Sequence, residues 1–164
     1  MKNLLIILVI SIIAIGTFSC NTSNNNLKSE NITDTDLLAD TIYYPVRIKN
    51  IDPDDSWADI RLKKLDRKKF VDNIFNSVYS GKAIAYNYLT DRPYTIDEIK
   101  ELENSEDYNR DNVVEIEFRE KWWYNPDRSL FKKEVLSMLV AYAVFDDTGE
   151  FSRLKAAFYI KIKN

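Results

Sequence analysis

Apolar residues recur along this chain in three rhythms. Residues 4–15 (LLIILVISIIAI) form an unbroken apolar run apart from Ser11. Between residues 66 and 80 the spacing changes to that of a helix: Phe70, Ile74 and Val78 make one ridge, and Val71, Phe75 and Tyr79 the adjacent one. From residue 113 onward the period is two. Val114, Ile116, Phe118, Trp122 and Tyr124 alternate with Glu115, Glu117, Arg119 and Lys121. Residues 130–145 are long and apolar, and Leu154, Ala156, Phe158, Ile160 and Ile162 line one face of residues 151–163. These last three segments read as strands.

The punctuation agrees. Asp66 is placed to cap the 66–80 helix, and Gly81 to end it. Thr95 and Glu98 have the spacing of a capping box at the start of a short acidic helix (IDEIKELE). Residues 125–128 (NPDR) and 146–150 (DDTGE) are turns between strands. Residues 82–89 (KAIAYNYL) alternate and predict another strand. Residues 41–48 are rich in β-formers, with Pro45 confining them to an edge or a short extended piece. Residues 104–112 have no apolar period and read as a loop. Three strands joined by short turns make an antiparallel β-meander, and the aromatic face of the 66–80 helix needs a surface to cover. The fold class expected is α+β, with one or two helices packed on one face of the meander.

The first apolar run is too short to span a bilayer, which takes roughly 20 residues. It follows Lys2 and leads through Gly16 to Thr17-Phe18-Ser19-Cys20. A small residue before a cysteine, directly after such a run, resembles the bacterial lipobox. The resemblance implies residues 1–19 as a lipoprotein signal peptide, a diacylglycerol on Cys20 and N-acylation of the new terminus. Residues 20–36 are polar and aperiodic and are expected to be a disordered tether. Residues 37–164 form the single domain. Asp40-Thr41-Ile42 resembles the short O-glycosylation sequon of Bacteroidetes, which marks Thr41 as a modification candidate.

Composition removes several chemistries. The 164 residues contain no histidine and one cysteine. That excludes Ser-His-Asp and Cys-His nucleophiles, His-ligated metal sites and an intrachain disulfide. The formal charge is −3, and removal of residues 1–19 takes away one cation and no acid. A nucleic-acid binder would show a basic footprint instead. Asp52, Asp54 and Ser56 alternate like the start of a calcium loop. Trp57 stands where such a loop needs glycine, and Lys63 where it needs a bidentate glutamate, so a solvated acidic turn is expected. No metal and no cofactor is implied. Glu115 and Glu117 share a strand face, the pattern of a two-carboxylate glycosidase and equally of a solvated surface.

Six cations crowd nine residues: Arg61, Lys63, Lys64, Arg67, Lys68 and Lys69. Three of them would occupy the first turn of the 66–80 helix, against its dipole. The sequence leaves two readings open, a solvated basic face and a patch for an acidic partner or anionic headgroups.

Several blocks line up in order: Tyr43-Tyr44-Pro45, Phe70 to Phe75 (FVDNIF), Gly81 to Tyr86 (GKAIAY), Thr95 to Ile99 (TIDEI), Glu120 to Asn125 (EKWWYN), Arg128 to Phe131 (RSLF), Asp146 to Gly149 (DDTG) and Ala156 to Ile160 (AAFYI). This order resembles the GldN (PorN) family of gliding motility and type IX secretion in Bacteroidetes, in a short, divergent lipoprotein form. The resemblance spans residues 66–164 and is most specific in the GK-x-x-AY and EKWWYN…RSLF blocks. It implies a periplasmic structural protein with no catalytic residues, assembling with other envelope proteins such as a GldK-like lipoprotein. The expected location is the outer membrane, lipid-anchored and facing the periplasm. Trp122 and Trp123 join the basic segment as partner-binding candidates. The alternative is an outer-membrane lipoprotein that binds a glycan or other ligand through exposed aromatics.

Overall fold

The computed structural model describes residues 33–162. Cys20 and the lipobox lie outside these residues. Residues 33–36, the end of the expected tether, are folded onto the domain. A 3-10 turn at Asp34–Asp36 opens it, and the Asp36 side chain takes a hydrogen bond from Asn125 Nδ2 at 3.0 Å.

Five strands make one antiparallel sheet in the order β1-β3-β4-β5-β2. They are β1 (Leu37–Arg47), β2 (Ala85–Tyr86), β3 (Val113–Asn125), β4 (Leu130–Phe145) and β5 (Phe151–Lys161). The three long C-terminal strands form the meander, as their alternation predicted. β1 pairs with β3 along its whole length and lies at the sheet edge. Pro45, which has no N–H to give, is tolerated there. The helices are α1 (Ser56–Leu62), α2 (Arg67–Tyr79) and α3 (Ile96–Glu103), and the fold is α+β.

Helix α2 starts and stops where its sequence signals lie. The Asp66 carboxylate accepts from the Lys69 backbone N–H at 3.0 Å, satisfying one of the orphan donors of the first turn. At the other end Gly81 takes φ +73°, a conformation that side chains disfavour. Val71, Ile74, Phe75 and Val78 are buried against Ile116, Val140, Phe158 and Ile160 of the sheet. The Phe75 ring meets Phe158 edge-on at 5.0 Å. Each such side chain contributes about 1.5–3 kcal/mol by leaving water. Helix α3 adds Ile99, fully buried. Its capping box is complete: Glu98 N–H donates to Thr95 Oγ1, and the Thr95 N–H donates to Glu98 Oε2.

Three expectations need correction. Residues 82–89 are not a strand beyond Ala85–Tyr86. The Asn87 side chain accepts from the N–H groups of Leu89 and Thr90, turning the chain back so that the Asn87 N–H reaches the carbonyl of Arg92. The expected single face of β5 is broken by a bulge. Phe158 pairs with Val140, but Ala156 pairs with Ala141, so Leu154 and Ala156 turn away from the helices and Ala157 joins the core. A bulge at the start of β3 likewise places Val113, not Val114, in the cluster under the helices. Helix α1 had no expectation at all. Asp55 caps it, and its Trp57 and Ile60 are exposed, so no apolar period marks it.

Candidate partner-binding face

The register of the sheet builds rows of side chains across its uncovered side. One row is Tyr43, Arg119, Ser137 and Lys161; the next is Pro45, Glu117, Leu139, Tyr159 and Tyr86. Side chains alternate along a strand. Ile116, Phe118, Val140 and Phe158 point to the helices, so these rows point the other way. Tyr88, from the loop after β2, joins them. The rows bound a shallow recess of about 170 Å³ lined by Tyr43, Tyr88, Glu117, Arg119, Ser137, Leu139 and Tyr159.

The loop carrying Tyr88 is held at the sheet by Asp91, which takes φ +55°. The Tyr159 hydroxyl donates to the Asp91 carboxylate, and Lys161 Nζ lies 3.3 Å from it. The same Lys161 ammonium sits 4.1 Å from the centre of the Tyr86 ring, and the Tyr86 and Tyr159 rings stack at 5.2 Å. One edge of the recess is thereby fixed.

Its charged groups are unequal. Glu115 is paired with Arg47 at 3.3 Å. Burial pushes the Glu117 carboxyl above its ordinary range, and the neighbouring Glu115 adds to the shift. Arg119 is exposed and forms no salt bridge among the described residues. A carboxyl, a guanidinium, a hydroxyl and three phenol rings thus surround the recess. Glu115 and Glu117 stand side by side on one strand rather than across a cleft, so they do not make an acid–base pair around a bond. Among the described residues no group of three or more acidic or thiol ligands converges on a metal position.

The six-cation segment is divided by the fold. Arg67 is half-buried and structural: its guanidinium donates to the Arg110 carbonyl at 3.1 Å and lies 3.1 Å from Asp111. Lys68 pairs with Asp72 at 2.6 Å and Arg61 with Asp55 at 3.4 Å. Lys63, Lys64 and Lys69 are exposed and form no salt bridge among the described residues. Trp122 and Trp123 are not a paired platform either. Adjacent in β3, they point to opposite faces. Trp123 is buried, with Lys132 Nζ 4.8 Å above its ring. Trp122 is half-buried, and its ring N–H donates to Glu120 at 2.6 Å. Thr41 is exposed within the irregular stretch of β1 between the Ala39 and Ile42 pairings.

Two clusters escaped the sequence reading. Arg110 donates to Glu103 twice and to Asp72, and lies 4.4 Å over the Phe75 ring. Tyr79 donates to the same Glu103, and burial, with that carboxylate, pushes its hydroxyl up to about 12. These partners are far apart in sequence and carry no local signal. The recess residues had one: Tyr43, Arg119, Ser137 and Tyr159 occupy the polar phase of the strand alternation, the phase that the core reading passes over.

No protein-family model matches the chain, and no characterised protein matches it significantly.

Proposed function

We propose that this chain is a lipid-anchored protein of the bacterial outer membrane, facing the periplasm, that acts by binding other envelope proteins as an assembly component. The GldN-like blocks point to gliding motility or type IX secretion as the apparatus, with a GldK-like lipoprotein as partner. The observation that carries the binding role is the sheet face away from the helices, where Tyr43, Leu139 and Tyr159 share rows with Glu117 and Arg119. A face with tyrosine rings and an exposed arginine presents side chains that interfaces favour. Cys20 supplies the anchor, and among the described residues no helix is long and apolar enough to cross a membrane.

The test is a photo-crosslinking amino acid placed in living cells at Tyr43 or Leu139, with Lys100 on α3 as control. Adducts with one other envelope protein from the first two positions, and not from Lys100, are expected. Equal adducts from all three positions would refute the assignment of this face.

The recess favours a second reading, a saccharide ligand. Its 170 Å³ is below the roughly 300 Å³ at which drug-sized pockets begin, a scale suited to one sugar ring. Tyrosine faces stack on sugar rings, and a carboxyl beside a guanidinium hydrogen-bonds hydroxyl groups. Glycan-array binding that disappears in Tyr159→Ala would support this reading over the first.

A further inference from the structure

We propose that the end of the sheet at which the chain enters the domain rests on the bilayer surface, through an aromatic ladder of Tyr44, Trp122, Phe131 and Tyr124 with Leu38 beside it. This inference rests on the lipid anchor at Cys20 and goes beyond the protein-binding role assigned to the open face.

The ladder is continuous. The Tyr44 and Trp122 rings meet at 6.5 Å, Trp122 and Phe131 at 5.7 Å, and Phe131 and Tyr124 at 6.4 Å. It lies on the helix side of the sheet, yet the cluster under the helices ends at Phe118 and Met138 and takes in none of the four rings. Tyr44, Tyr124 and Phe131 are each more than two-fifths exposed, and Leu38 is 63% exposed. Four contacting rings, three of them exposed, are unusual on a monomer surface and mark a contact site.

Where the chain enters says what covers them. Leu37 pairs with Trp123, and Asp36 is hydrogen-bonded to Asn125. The entry point is therefore fixed beside the ladder at the turn end of β3 and β4. Twelve residues, 21–32, separate Thr33 from Cys20. As the coil that its polar, aperiodic sequence predicts, a segment of that length would have a root-mean-square span of roughly 20 Å. A tether this short gives an effective concentration on the order of millimolar, so a weak surface affinity suffices for contact.

The side chains suit a headgroup layer. Tyrosine and tryptophan place an apolar ring with a polar edge, the chemistry enriched at membrane interfaces. Lys133 Nζ lies 4.8 Å from the Tyr44 ring centre and 4.6 Å from that of Trp122. Arg128 lies in the turn. Long cationic side chains keep their charge at the wet boundary while their stems cover apolar surface. Asp34, Asp36, Asp40, Glu120, Asp127 and Glu134 outnumber the cations Lys121, Arg128, Lys132 and Lys133, so the contact is one of aromatic insertion and not of charge.

The test uses the acylated protein, extracted from membranes and reconstituted into phosphatidylethanolamine–phosphatidylglycerol vesicles. A Trp57→Phe, Trp123→Phe background leaves Trp122, the tryptophan of the ladder, as the reporter. Flotation reads the anchor, and quenching by lipids brominated near the headgroup reads the contact. The expected result is a protein that floats and loses most of its tryptophan emission in brominated vesicles. Adding Tyr124→Ser and Phe131→Ser should restore the emission while the protein still floats. A protein that floats but is not quenched overturns the proposal. So does quenching unchanged by the two serine substitutions, or a dimer crosslinked through these residues. Failure to float removes the anchor reading, and this inference with it.

Discussion

Glu120 and Lys133 meet diagonally across β3 and β4 with their charged atoms 3.2 Å apart, the carboxylate side chain only 6% exposed. Glu120 stands on the apolar side of β3, in phase with Phe118 and Trp122, where alternation calls for a hydrophobic residue. It is accommodated because Lys133 supplies the opposite charge and the Trp122 ring N–H donates a second bond. Glu120→Ala should cost about 3 kcal/mol, since it leaves the ammonium and the indole N–H without their acceptor. Glu120→Gln keeps an acceptor for Trp122 and should cost about half of that. Urea unfolding of the two variants measures both.

The core under α2 gives a graded pair. Phe75 is fully buried and contacts Phe158, Tyr108 and the Arg110 guanidinium. Phe75→Ala should cost about 3–5 kcal/mol. Thr95→Ala, which removes one half of the α3 capping box, should cost about 1 kcal/mol. Similar midpoint shifts for both in urea would contradict the packing of α2 on the sheet.

Glu117 yields a pH dependence. A carboxyl whose value rises on folding binds more protons in the folded state than in the unfolded one. Its contribution therefore falls as pH rises from the ordinary value of 4.5 through the raised folded value. Glu117→Gln removes a charge that burial disfavours, so at neutral pH the variant should melt slightly above the wild type. The difference should shrink towards pH 4, and melts recorded across that range check the sign.

Within the basic segment the effects should separate. Arg67→Ala breaks a link from α2 to the 110–113 segment and should cost about 1–3 kcal/mol with little effect on partner binding. Lys69→Glu improves the charge at the helix start and should leave stability unchanged or slightly raised. If Lys63, Lys64 and Lys69 contact an acidic partner, their triple reversal to glutamate lowers its co-purification, and added salt does the same to the wild type. An unchanged profile would make them a solvated face.

Periodic elements were legible because their signals are local. α2 shows its ridges, its Asp66 cap and its Gly81 stop within one short stretch, and the meander shows its alternation and turns. Pairings that span the chain were not. Nothing near residues 37–47 announces that Tyr44 lies opposite Phe118. The 82–89 segment misled because Tyr86 and Tyr88 keep the strand period while Asn87 folds the backbone between them. Trp122 and Trp123, both partner-binding candidates, are neighbours on a strand and so point to opposite faces. The recess combines residues from β1, β3, β4, β5 and a loop, so no short motif holds it.

The position of β1 bears on the order in which the chain is built. β3, β4 and β5 are joined by tight turns, so their pairing closes short loops, whereas β1 joins β3 only across the intervening helices and loop. Closing that larger loop costs more chain entropy and comes late on topological grounds. The first strand to emerge from synthesis is thus among the last to find its place. If Cys20 is acylated, the lipid is carried on the chain that leads into that late strand. Helices and meander can then assemble while Leu37–Arg47 is still unpaired, and its docking on β3 completes the sheet.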